Sequence, residues 1–180
     1  MQHDTVLAAT RLWLEKAVIG LNLCPFAKAV YLKDQVRFVV SAAPHLDGLL
    51  EDLDRVLDFL AAASPDEVET TLLIHPTLLP DFSEFNDFMQ LAEGAVGVHD
   101  MEGIIQIASF HPQFQFADTA PDDISNYTNR APYPTLHLLR EASISNAIEA
   151  YPNTEAIYQR NIGVLQEIGI AGWKALWKTS

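Results

Sequence analysis

One cysteine, Cys24, stands in a chain of 180 residues. A single thiol excludes an internal disulfide framework and an all-cysteine zinc site. A reduced, cytoplasmic setting is the expectation that follows. No apolar run approaches the roughly 18–20 residues that a membrane helix needs, so no membrane partner is expected. The first residues lack the basic region, apolar run and small-residue cleavage site of a secretory signal. The eight glycines are scattered and form neither GxGxxG nor a P-loop, which argues against a nucleotide held in the usual Rossmann manner. There is no internal repeat and no low-complexity linker.

Basic residues are also scarce. Lys and Arg number 11 against 24 Asp and Glu, a net charge of −13. The imbalance is local: residues 1–40 carry +2, residues 41–129 carry −16 with Arg55 as their one base, and residues 130–180 carry +1. So acidic a middle repels phosphate backbones, and nucleic acid is not an expected partner. It keeps the protein in solution, or meets a basic partner. Any arginine that binds an anion must come almost entirely from the two ends of the chain.

What is present reads as alternating strands and helices. Val6, Ala9, Trp13 and Ala17 give residues 4–19 a helical stripe, with Gly20 as its stop. Residues 35–41 alternate as a strand. Leu46, Leu49, Leu50, Leu53, Val56, Leu57 and Leu60 predict a helix over 46–62. Thr70–Ile74 is a short apolar run of the kind covered on both faces. Residues 82–95 form the next helix, with Asp81 and Glu84 at capping-box spacing. A third strand runs over 103–110, residues 135–150 read as helical, and a last helix spans about 152–168, ended by Gly169. Trp173 and Trp177, four apart in the tail, are read as capping the core. Strand, helix, strand, helix, strand implies a parallel sheet with crossover helices. The expected fold is therefore one α/β (or α+β) domain over 1–180, with a short central sheet. At least three of its strands are expected to be parallel, with extra helices from both termini.

Ligands of open α/β sheets bind beyond the carboxyl ends of the strands. Two histidines, His75 and His111, follow buried runs there, each before a proline. They are read as an acid/base pair, or as rings that pack on their prolines and bond a nearby carbonyl. The loop 112–134 leaves from the same edge and is longer than connections usually are. Within it Asn126, Asn129 and Arg130 concentrate hydrogen-bonding groups. Arg130 and Arg140 together suit a carboxylate or phosphate, unless Arg130 pairs with Asp118, Asp122 or Asp123. Cys24, ahead of Pro25, is a candidate nucleophile if Pro25 opens a helix, and a core thiol otherwise. No cofactor is evident. A divalent metal on His137 and Glu141, four apart on the predicted helix, with His75 and His111, is the weaker alternative.

Three stretches carry a resemblance. Ile19-Gly20-Leu21-Asn22-Leu23-Cys24-Pro25-Phe26-Ala27, Ser109-Phe110-His111-Pro112 and the run from Asn129 to Glu141 resemble a bacterial family catalogued as domain of unknown function number 1415. The resemblance covers nearly the whole chain. It implies a bacterial, cytoplasmic, single-domain protein and supplies no reaction, cofactor or catalytic residue. From the residues alone, the leading expectation is a small-molecule enzyme acting on an anionic metabolite. A divalent-metal protein and a non-enzymatic acidic interaction protein are the alternatives.

Overall fold

The computed structural model describes residues 2–150 and 154–178. Helix α1 (Gln2–Trp13) runs on into a π-helical segment, Leu14–Ile19. Gly20 follows in a right-handed conformation, and Asn22 (φ 53°) takes the left-handed step that turns the chain. After the short α2 (Ala27–Leu32) come β1 (Val36–Val40) and α3 (Leu46–Ala62). The α3 stripe predicted from its leucines is the buried one, Leu49, Leu53, Val56, Leu57 and Leu60. The His45 ring caps its start by accepting from the Gly48 N–H at 3.1 Å. Strand β2 (Thr70–Ile74) is buried at every position. Helix α4 (Phe82–Val98) is capped by Asp81, which accepts from the N–H groups of Ser83 and Glu84. Strand β3 (Ile105–Phe110), a 3₁₀ turn (Ile124–Thr128), β4 (Thr135–Arg140), α5 (Glu141–Ala150) and α6 (Thr154–Ala175) complete the order. Gly169 breaks α6 with φ 57° and ψ −176°. The start predicted for that last helix, at 152–153, lies outside the described residues. Among the described residues no helix is long and apolar enough to cross a membrane.

The sheet order is β1-β2-β4-β3. Only β1 and β2 pair in parallel; β4 lies between β2 and β3, antiparallel to both. This corrects the expectation of three parallel neighbours. β3 does point the same way as β1 and β2, because two antiparallel steps restore the direction. The strand that separates them is residues 135–140, where the sequence pattern predicts helix. Its run of Leu136, Leu138 and Leu139 suits either period, and a strand buried on both faces loses the alternation that would identify it.

The sheet separates two apolar layers. On one face Leu73, Leu136 and Leu138 meet α3 and α4. On the other, Leu72 and Ile74 meet α1, the π-helical segment and α6 through Trp13, Leu14, Val18, Leu165 and Trp173. Arg140 joins the sheet to α3. Its Nε donates to Val68 O at 3.3 Å, and its Nη2 to Leu60 O and Ala63 O at 3.1 and 2.8 Å. These are carbonyls at and beyond the last turn of α3, which a helix leaves without internal partners.

Replacing Arg140 by methionine strands those carbonyls. The expected cost is about 2 kcal/mol, a fall in melting temperature of roughly 4–8 °C for a chain of this size. Thermal denaturation measures it. A loss below ~0.5 kcal/mol, the range of ordinary surface substitutions, would show that the guanidinium does not hold the helix end.

Candidate functional site

The carboxyl ends of β1, β2 and β3 lie on one edge of the sheet, where Ser41, His75 and His111 are each at most 2% exposed. The two histidines are wired alike. The His75 Nδ1 accepts from the N–H groups of Thr77 (3.3 Å) and Leu78 (2.7 Å), and its Nε2 donates to Ala43 O at 3.0 Å. The His111 Nδ1 accepts from the Gln113 N–H at 3.0 Å, and its Nε2 donates to Leu79 O at 3.0 Å. Each ring therefore turns the chain after its own strand and ties it to the loop after the preceding one. Leu79, whose carbonyl His111 holds, has a left-handed backbone (φ 55°). Burial lowers the pKa of both rings, against the smaller opposing effect of their carbonyl partners. Both stay neutral, and both nitrogens of each are committed to the backbone.

Asn126 organises the long loop. It is fully buried, accepts from the Phe116 N–H (2.9 Å) and the Thr119 hydroxyl (2.8 Å), and donates to Ala120 O (2.9 Å). Asn129 donates to Ser109 O at 3.2 Å, and its own carbonyl accepts from the His111 N–H. The Arg130 guanidinium lies 4.4 Å from the centre of the Tyr127 ring. Its Nε donates to Phe114 O and its Nη2 to Pro121 O. None of Asp118, Asp122 and Asp123 forms an ion pair with it, and Asp123 instead caps the 3₁₀ turn through the Ser125 N–H. Among the described residues no carboxylate lies within ion-pair distance of Arg130.

Beside this arginine is a cleft of about 330 Å³, within the size range of small-molecule sites. Its walls come from α1, the long loop and the end of α6: Trp13, Pro112, Tyr127, Arg130, Trp173 and Trp177 are the principal ones. Among the described residues Arg130 is the one charged residue lining it. Tyr127 meets Trp173 edge-on at 5.0 Å, and Trp173 meets Trp177 edge-on at 5.5 Å. Trp13 immediately precedes the π-helical segment, an irregularity frequent at functional sites. The tryptophans cap the second layer as the sequence spacing suggests, and their exposed edges also build this wall. No local pattern marks Trp13 as their companion, since only the tertiary fold brings the end of α1 and the end of α6 to one cleft.

The remaining candidates lie apart. Arg140 sits at the far end of β4, so Arg130 and Arg140 are not brought to one ligand. Cys24 is half-buried in a turn against the second layer. The helix after it starts at Ala27 with Phe26 as its N-cap residue, so the thiol is not the helix-terminal group that the sequence reading required. His137 and Glu141 do not share a helix face: His137 is on β4, and Glu141 opens α5. The Thr70 hydroxyl donates to Leu138 O, so it accepts from His137 Nε2 at 2.7 Å. Burial pushes the pKa of His137 down to about 4. Among the described residues no three His, Cys, Asp or Glu side chains cluster as a metal site.

Residues 5–175 match the family described as "Protein of unknown function (DUF1415)", and the chain belongs to that family. No curated protein and no solved structure matches it.

Three neutral histidines set a pH dependence. In the unfolded chain an imidazole titrates near 6.5; in the fold those of His75, His111 and His137 titrate lower. Between the two values the unfolded chain binds more protons, so stability is full above about pH 6.5 and is lost as the pH falls below it, for His137 down to about 4. Each such histidine contributes a slope of up to about 1.4 kcal/mol per pH unit. Urea unfolding at pH 7.5, 6 and 5 is expected to show this fall, and His137→Asn a shallower one. Equal stability at all three pH values would contradict the buried neutral assignment.

Proposed function

We propose that this DUF1415 protein binds a small organic anion, a carboxylate or phosphate on an apolar or aromatic body, in the cleft beside Arg130. The observation that carries the reading is a guanidinium without a carboxylate partner on an otherwise uncharged aromatic wall. Two of its nitrogens are fixed by loop carbonyls, which hold its plane, while Nη1 bonds no described residue. An arginine so held meets a ligand with little further loss of freedom. The tryptophan and tyrosine edges suit a flat or apolar body. An acidic chain that keeps one arginine unpaired in an apolar cleft also repels anions elsewhere on its surface, which favours entry at this point.

His75, His111, Asn126 and Asn129 support this reading from behind. The hydrogen bonds of His111, Asn126 and Asn129 fix the loop that carries Arg130, the His75 ring holds the loops after β1 and β2, and none of them moves protons in this reading. Cys24 and Arg140 are not among the residues that line the cleft.

All three tryptophans of the sequence, Trp13, Trp173 and Trp177, line the cleft, so intrinsic fluorescence reports on it directly. Titration with aryl and alkyl carboxylates and phosphates is expected to quench or shift the emission, and the matched neutral amides and alcohols to do so far less. Arg130→Gln is expected to weaken the anion about ten- to a hundredfold, the loss of a charge-assisted hydrogen bond. Trp177→Ala, which leaves the Arg130 loop intact, is expected to weaken anions and neutral analogues alike. If no anion at millimolar concentration alters the emission, or if Arg130→Gln binds it unchanged while keeping its fold, the reading fails.

A further inference from the structure

Among the described residues, the other face of the sheet, away from the cleft, holds two buried polar atoms with no hydrogen-bond partner. They are Arg37 Nη1 and Thr71 Oγ1. The two residues are direct register partners across the parallel β1–β2 pair, so their side chains leave the sheet on the same side. Thr71 is 0% exposed. Arg37 lies beneath α3, with its guanidinium carbon 3.8 Å from the centre of the Phe59 ring. It forms no hydrogen bond and no ion pair with a described residue, and burial lowers its pKa with no neighbouring charge to offset the effect. The next residue of α3, Leu60, gives its carbonyl to Arg140, a second guanidinium without a carboxylate at ion-pair distance among the described residues.

A buried polar atom left unbonded costs free energy; Thr71 is buried throughout, and Arg37 is half-buried with its Nη1 atom withdrawn from water. Here two donors, one charged, leave the same side of one strand pair, and no described residue accepts a hydrogen bond from either atom. A guest that answers both needs is small, accepts hydrogen bonds and carries a single negative charge. Two donors are too few for a phosphate or sulfate, which needs several. We infer that Arg37 and Thr71 form a site for a monovalent anion of the halide class, between the β1–β2 pair and Phe59. Thr71 donates through its hydroxyl and Arg37 through Nη1, and the anion fixes the edge strand β1 to α3.

Melting curves of the full chain in 1 to 100 mM chloride, with gluconate holding the ionic strength constant, test this. Ten times the dissociation constant of chloride is expected to raise the melting temperature by roughly 3–6 °C. The isosteric Thr71→Val and the chain-length match Arg37→Met are each expected to abolish the rise. Crystals grown with bromide are expected to show an anomalous peak between Arg37 Nη1 and Thr71 Oγ1, a readout that needs no variant to fold. A melting temperature indifferent to chloride, an equal rise in Thr71→Val, or a water in place of the bromide peak would each overturn the assignment.

Discussion

The fold depends on satisfying backbone groups where the chain leaves its regular elements. Loops that cross the ends of a buried sheet carry N–H and C=O groups into apolar surroundings, and each must find a partner. Here the partners are side chains. His75 and His111 each use both ring nitrogens to bind the loop after one strand to the loop after the previous one. Asn126 does the same inside the long connection, and Arg140 does it at the end of α3. His75, His111 and Asn126 are buried and Arg140 is half-buried, so removing one leaves its partners stranded as well as losing a contact. The histidines must stay neutral to play this part, which couples the loops to pH.

The cleft is a consequence of that arrangement. Arg130 is carried by a loop whose shape Asn126, Asn129 and His111 determine, and it is pressed on Tyr127 with two nitrogens bonded to carbonyls. The opposite wall comes from chain termini far away in sequence, Trp13 on α1 and Trp173 and Trp177 on and after α6. The loop that closes the sheet end is therefore the one that carries Arg130 to the cleft. The residues that hold it, His111, Asn126 and Asn129, are not those that line the cleft.

Much of the fold is legible in the residues. The leucine stripe places α3 at its observed bounds, the apolar run places β2, and Asp81 marks the start of α4. Gly169 does interrupt the last helix. The sheet edge beyond the strands is also legible, because β1, β2 and β3 do end together. Residues 135–140 are not, since a strand covered on both faces has no polar side to betray its period. Misreading them moved His137 and Glu141 onto a common helix face and Arg140 toward Arg130, and the six-residue strand in fact carries Arg140 to the opposite end of the sheet.

Local pattern, by itself, determined where the chain turns, which faces are apolar, and which few cations the acidic middle leaves at the two ends. Those properties depend on neighbours within a turn or two, and periodicity records them. Tertiary structure alone decided which histidine nitrogens are already bonded, which arginine has no acid beside it, and which tryptophans share a wall. Their partners lie 30 to more than 100 residues away, as with the carbonyl that His111 holds at Leu79 and the Trp13–Trp173 side of the cleft. No local spacing encodes such pairings, because they exist only once the two layers close on the sheet.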